Sequence, residues 1–99
     1  VEIHAGAYCE VDDEHRPREL ARIVESARIA EMIGLECHVG HGLSFDTVGP
    51  VAAIPTVAEL NIGHFLVGEA IFGGLESSIK RMRALMDKAR ADVSGQVSA

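Results

Sequence analysis

Glu36-Cys37-His38-Val39-Gly40, followed at once by His41-Gly42, is the stretch that decides the fold. Apolar and polar residues alternate and then stop at a glycine, the pattern of a strand whose carboxyl end opens into a tight turn. The same order (Glu, an apolar residue, His or Asn, an apolar residue, Gly) occurs before it as Glu2-Ile3-His4-Ala5-Gly6. It occurs again after it as Glu59-Leu60-Asn61-Ile62-Gly63, and this third copy runs into His64. Parallel α/β proteins keep their chemistry at strand carboxyl ends. The repeat therefore predicts a site as well as a fold.

Working outward, residues 1–6, 35–40 and 59–63 read as strands and the segments between them as helices. Residues 12–16 are charged and turn-like, and Pro17 suits the first turn of a helix. Leu20, Ile23, Val24, Ala27, Ala30 and Ile33 then recur at three- and four-residue steps, one apolar face closed by Gly34. A short helical segment is predicted from Pro50 to about Ile54, and a short apolar helix over 65–72, stopped by Gly73-Gly74. A last helix over 75–91 carries Leu75, Ile79, Met82, Leu85, Met86 and Ala89 as its buried stripe. Lys80, Arg81, Arg83, Lys88 and Arg90 lie mostly off that stripe and read as a solvated basic face. The small, polar tail, 92–99, reads as frayed.

The order β-α-β-α-β-α predicts parallel strands with helical crossovers. Three such strands alone leave two open edges, and parallel sheets ordinarily bury both faces. The chain is expected to be part of a barrel, with residues 1–91 as three βα units.

Bulk properties narrow the function classes. The 99 residues carry a net charge of −6, with a pI of about 5.2, which argues against a nucleic-acid or anionic-membrane surface. Small anions remain possible ligands, because a phosphate site depends on local amides. No apolar run approaches the ~20 residues of a membrane span. Cys9 and Cys37 form no CxxC pair and read as reduced, cytoplasmic thiols. No GxGxxG, Walker or GxSxG motif is present.

His41, between two glycines, has little crowding, and with a solution pKa of about 6.5 it suits acid–base work at neutral pH. The competing reading is a turn in which the glycines serve geometry and His41 is merely exposed. Gly63-His64 leads into a helix N-terminus, whose free amides attract an anion; an ordinary strand-to-helix turn has the same letters. Glu2 shares a strand face with His4 and could stabilise a charged intermediate, or be no more than a residue favoured at strand starts. Glu2, His4, His38, His41 and His64 also supply metal-ligand types, but no HxH or HExxH spacing fixes a geometry.

Taken together, Val1-Glu2-Ile3-His4-Ala5-Gly6, Val39-Gly40-His41-Gly42-Leu43, Ala52-Ala53-Ile54-Pro55 and Glu59-Leu60-Asn61-Ile62-Gly63-His64 resemble the pyridoxine 5′-phosphate synthase family of vitamin B6 biosynthesis. The likeness extends over about residues 1–91. It implies the C-terminal three βα units of a (β/α)8 TIM barrel. It also implies condensation of 3-amino-2-oxopropyl phosphate with 1-deoxy-D-xylulose 5-phosphate, without metal or organic cofactor. By matching motif, His41 corresponds to the proton donor and Glu2 to the transition-state stabiliser. Gly42, Gly63 and His64 correspond to binders of the aminooxopropyl phosphate. His4 and His38 match no such role and read as structural. The family's general bases lie on the missing N-terminal part of the barrel, so this chain alone is expected to be inactive. Phosphorylated substrates, the missing part and further copies in a homo-oligomer are the expected partners, with neither nucleic acid nor membrane among them. The alternatives are a non-catalytic, self-associating α/β module and a histidine-rich metal-binding α/β protein.

Overall fold

In the computed structural model, which describes residues 1–98, the chain runs β1 (Glu2–His4), α1 (Gly6–Glu10), α2 (Arg16–Met32), β2 (Cys37–Gly40), α3 (Val48–Ala52), β3 (Val57–Asn61), α4 (Gly63–Gly73) and α5 (Leu75–Ser98). The three strands form one parallel sheet in the order β1-β2-β3. Alternation puts Ile3, Val39 and Leu60 level with one another on one face. That face packs into the core with Ile23, Ala27 and Ala30 of α2, Val48 and Val51 of α3, and Met82 of α5.

The opposite face is polar. Glu2, His38 and Glu59 form one level across it, and His4, Gly40 and Asn61 form the next. The first and third copies of the repeat are thus level, while the second is offset by two residues, an even step that keeps its side chains on the same faces. A register irregularity at Cys37/His38 lets Cys37 pair with Val57 and His38 with Glu59. His38 Nδ1 lies 2.9 Å from a Glu59 oxygen and its Nε2 lies 3.6 Å from one of Glu36.

Local chemistry explains the helix ends. Pro17 sits in the first turn of α2, as expected. Ahead of it, Asp12 Oδ1 accepts the His15 backbone N–H at 3.0 Å. Arg16 donates to the Tyr8 and Val11 carbonyls, tying α1 to the start of α2. At the other end Gly34 has φ 78°, with Leu35 N–H donating to Ala30 O and Gly34 N–H to Glu31 O. Those two bonds make a Schellman close. Arg90 of α5 donates to the carbonyls of Ala52, Ile54 and Val57, clamping the turn between α3 and β3.

The structure departs from the sequence reading in several places. Helix α1 was not expected; Gly6, read as the end of a strand, starts it. Strand β3 lies two residues earlier than expected, because Val57 is buried while Ile62 caps α4 and Gly63 opens it. Helix α3 begins at Val48 rather than Pro50. Of the expected α2 face, Val24 and Ile33 are exposed; Ile23, Ala27 and Ala30 already fill the one-turn spacing that faces the sheet. Leu75 and Ile79 are exposed too, because α5 begins against α4, which contributes no fully buried side chain among the described residues. Helix α5 continues past Ala91 through Ser98, and Ala99 lies outside the described residues.

Candidate functional site at the strand carboxyl ends

Because His4, Gly40 and Asn61 are level, the three segments that follow them meet at one end of the sheet. Gly40 is small where its neighbours are not. A Cβ built there would lie 2.6 Å from Glu2 Oε1 and 2.9 Å from Asn61 Cβ. The missing side chain is the space into which the Glu2 carboxylate leans.

His41 follows with φ 75°, left-handed backbone that side chains other than glycine seldom adopt. Such strain persists only where surrounding structure enforces it. Gly42 continues the bend at φ 93°, and a Cβ there would lie 3.3 Å from Cys9 Cβ. The His41 ring stacks on His4, with centroids 4.0 Å apart and planes inclined by 28°. Gly6 N–H donates to His4 Nδ1 at 3.3 Å.

Two locks hold the bend. Tyr8 of α1 is buried and donates its hydroxyl to the Thr47 carbonyl at 2.8 Å. Thr47 Oγ1 in turn accepts the Ser44 backbone N–H at 2.9 Å. Phe45 meets Phe65 edge-to-face at 4.8 Å between centroids, and the Arg81 guanidinium lies 4.1 Å over the Phe45 ring. The bend after β2 is thereby joined to α1 on one side and to α4 and α5 on the other. Burial raises the pKa of both the Tyr8 hydroxyl and the Cys9 thiol, so each stays protonated at neutral pH.

On the neighbouring strand, α4 starts at Gly63 directly after the cap residue Ile62. Ile62 offers no side-chain acceptor, and the first turn carries no carboxylate. The leading amides and the positive end of the dipole are left for an anion. A Cβ at Gly63 would meet nothing within 4 Å, and Gly63 and His64 are both exposed.

The structure therefore brings His41 together with His4, Glu2 with Gly40, and Gly42 with Cys9, and it sets Gly63 and His64 on the adjacent strand end. It does not gather the metal candidates. Among the described residues, three ligand-type side chains converge within 4.8 Å at Asp12, Glu14 and His15, all exposed. Sequence reasoning missed His4 as a neighbour of His41, and with it α1, Tyr8 and Thr47. No pattern within one segment marked the pair, because it follows from the register of β1 against β2, which sets His4 level with Gly40. A cleft of about 310 Å3 lined by Pro55, Thr56, Glu59, Arg83 and Arg90 lies at the amino end of β3, away from this site.

Parallel βα units with imidazoles, a carboxylate and open helix amides at one sheet end define an α/β protein built on βα repeats, with its polar groups at the sheet's mouth. Residues 1–88 match the sequence model of the family described as pyridoxal phosphate biosynthesis protein PdxJ, and the chain belongs to that family. It is similar to pyridoxine 5′-phosphate synthases from Rhodospirillum rubrum (60% identical over 90 residues, 90% of this chain and 36% of the relative) and Jannaschia sp. (56% over 94 residues, 91% and 38%). The synthase of Caulobacter sp. is 53% identical over 98 residues, 95% of this chain and 39% of the relative. The chain thus spans well under half the length of these curated relatives. Among the described residues no helix is long and apolar enough to cross a membrane.

Proposed function

We propose that this chain supplies the last three βα units of a (β/α)8 barrel that makes pyridoxine 5′-phosphate. The reaction joins 3-amino-2-oxopropyl phosphate to 1-deoxy-D-xylulose 5-phosphate, releasing inorganic phosphate and water. The observation that carries this reading is the positive-φ His41 at the end of β2, beside a strand that feeds straight into the open N-terminus of α4.

In this reading the aminoketone's phosphate lies against the leading amides of α4, at Gly63 and His64, with Gly42 giving its backbone close approach. His41 protonates a departing oxygen as water is lost during ring closure. The Glu2 carboxylate, held in the space beside Gly40, stabilises positive charge that develops on the condensing amine. No metal or organic cofactor is called for. The polar sheet face, with Glu2, His38, Glu59, His4 and Asn61, supports a barrel in which that face turns inward, toward units this chain does not contain. General bases belong to those units, so the 99-residue chain is inactive by itself. The assembled enzyme is a cytoplasmic homo-oligomer.

The test is pyridoxine phosphate formation by a complete polypeptide that includes this sequence. His41→Asn, which keeps a residue tolerant of left-handed backbone, should cut turnover while leaving phosphate affinity largely intact. Lost affinity with normal turnover at saturation would refute the acid assignment. Gly63→Val should raise the Michaelis constant for the aminoketone phosphate, and an unchanged constant would count against the phosphate position. A second reading, a non-catalytic module that self-associates, draws on the exposed Val67, Ile71 and Phe72 of α4 beside Leu75 and Ile79 of α5. Association of the chain with itself and no turnover in the complete polypeptide would favour that reading.

A further inference from the structure

His4 lies on β1, His41 in the bend after β2, and His4 has no part in the proposed chemistry, yet the local geometry is organised around their contact. We infer that His4 is the positioning residue for the His41 imidazole. This rests on the proposed role of His41 as the proton donor.

Four observations carry it. His41 stands on left-handed backbone next to Gly42, itself at φ 93°, so the bend by itself gives the ring little orientation. Its ring lies at 4.0 Å, nearly parallel, on that of His4. His4, unlike His41, is fixed from below: it sits on β1, and its Nδ1 accepts the Gly6 N–H at 3.3 Å. That bond puts the proton of neutral His4 on Nε2. Finally, position 6 has been kept free of a side chain where the two rings meet. A Cβ on Gly6 would lie 2.7 Å from His4 Cε1 and 3.1 Å from His41 Cδ2. Gly6 opens α1 outside the positive-φ region that Gly34, Gly42 and Gly74 occupy, so space rather than backbone conformation accounts for the glycine there.

The stack gives an exposed imidazole on a bend one orientation before any substrate arrives. Preorganisation of this kind acts on the rate of the proton-transfer step more than on binding.

Two measurements test this. In the complete synthase, isotopically labelled at histidine, NMR should show the His41 ring protons displaced upfield by the His4 ring current. His4→Ala should abolish the displacement and His4→Phe should keep it. In the complete synthase, His4→Ala should lower kcat roughly tenfold, the scale of one aromatic pair, with KM for both phosphates within about twofold. His4→Phe should restore most of the loss, and Gly6→Ala should reproduce it by wedging the rings apart. Wild-type kcat in His4→Ala, or a His4→Phe enzyme as slow as His4→Ala, would overturn the proposal. Should His4→Ala fail to fold, the Gly6→Ala and His4→Phe pair decides it. Full turnover in His41→Asn would instead remove the acid reading, and the positioning claim would then stand or fall on the ring-current shift.

Discussion

Replacing Gly40 by Ala tests the packing of the sheet's polar face with a single methyl. The new Cβ would meet Glu2 Oε1 at 2.6 Å, Asn61 Cβ at 2.9 Å and the Asn61 carbonyl oxygen at 3.1 Å. The first contact is with the end of a flexible, exposed side chain, so Glu2 swings away at little cost. The other two belong to the backbone and root of β3. Carbon atoms pack at about 3.5–4.0 Å, so β2 and β3 must part locally by roughly half an ångström or more. Overpacking of this sort costs about 1–3 kcal/mol, offset by about 0.4–1 kcal/mol because Ala restricts the unfolded chain. With a urea slope of about 1–2 kcal/mol per molar, the midpoint of the purified chain should fall by roughly 1 M. Gly63→Ala is the control: nothing lies within 4 Å of its Cβ, and its midpoint should hold or rise slightly. Where Glu2 acts as proposed, Gly40→Ala in the complete synthase should also reduce turnover. A Gly40→Ala midpoint equal to wild type would refute the close approach of Asn61 to β2.

Other outcomes follow from the same geometry. Arg90→Lys leaves a single ammonium where a guanidinium reached three carbonyls; urea denaturation should show a loss of about 2 kcal/mol. Tyr8→Phe removes the hydroxyl's bond to the Thr47 carbonyl, which still caps α3; the loss should be about 1 kcal/mol by the same assay. Burial raises the pKa of the Cys9 and Cys37 thiols, so their neutral form is favoured by the fold. That contribution is complete below the free-thiol value of about 8.5 and is lost as pH rises through the raised values; alkylation at pH 8 should be slow in buffer and fast in urea. The Asp12 carboxyl is held below its usual range, first by its side-chain bond to His15 and then by the His15 backbone amide. Its contribution is therefore present above about pH 4 and is lost as pH falls through the lowered value. Asp12→Asn should flatten the acid limb of the stability profile.

Much of this was legible in the residues because the relevant signals are local. Alternation ending in glycine located three strands, and Gly34, Pro17 and Gly73-Gly74 punctuate the helices as their chemistry requires. The strand-end histidines were legible for the same reason. What could not be read depends on register. Alignment of the repeat by its letters puts Glu2, Glu36 and Glu59 side by side, whereas the sheet pairs Glu2 with His38 and His38 with Glu59. The His4–His41 stack and the Gly40 space both follow from that offset, and neither leaves a mark on any single segment. Helix α1 is only five residues long, held by Tyr8 to Thr47 and by Arg16 to two carbonyls. Its existence is a tertiary fact, below the length at which helical periodicity is visible. The exposure of Leu75 and Ile79 likewise reflects where α4 lies, not the pattern within α5.

The glycine of the repeat does different mechanical work in its three settings. Gly6 and Gly63 each open a helix within two residues of a strand's last residue, His4 or Asn61, whereas Gly40 ends its strand and α3 starts only at Val48. At the outer strands there is no slack between sheet and helix, and strand and helix turn together as a crank. A force on the leading amides of α4 is therefore delivered to β3 and to the hydrogen bonds it shares with β2. Hydrogen exchange at Val39 and Gly40, residues that never touch an anion at Gly63, should slow when one binds.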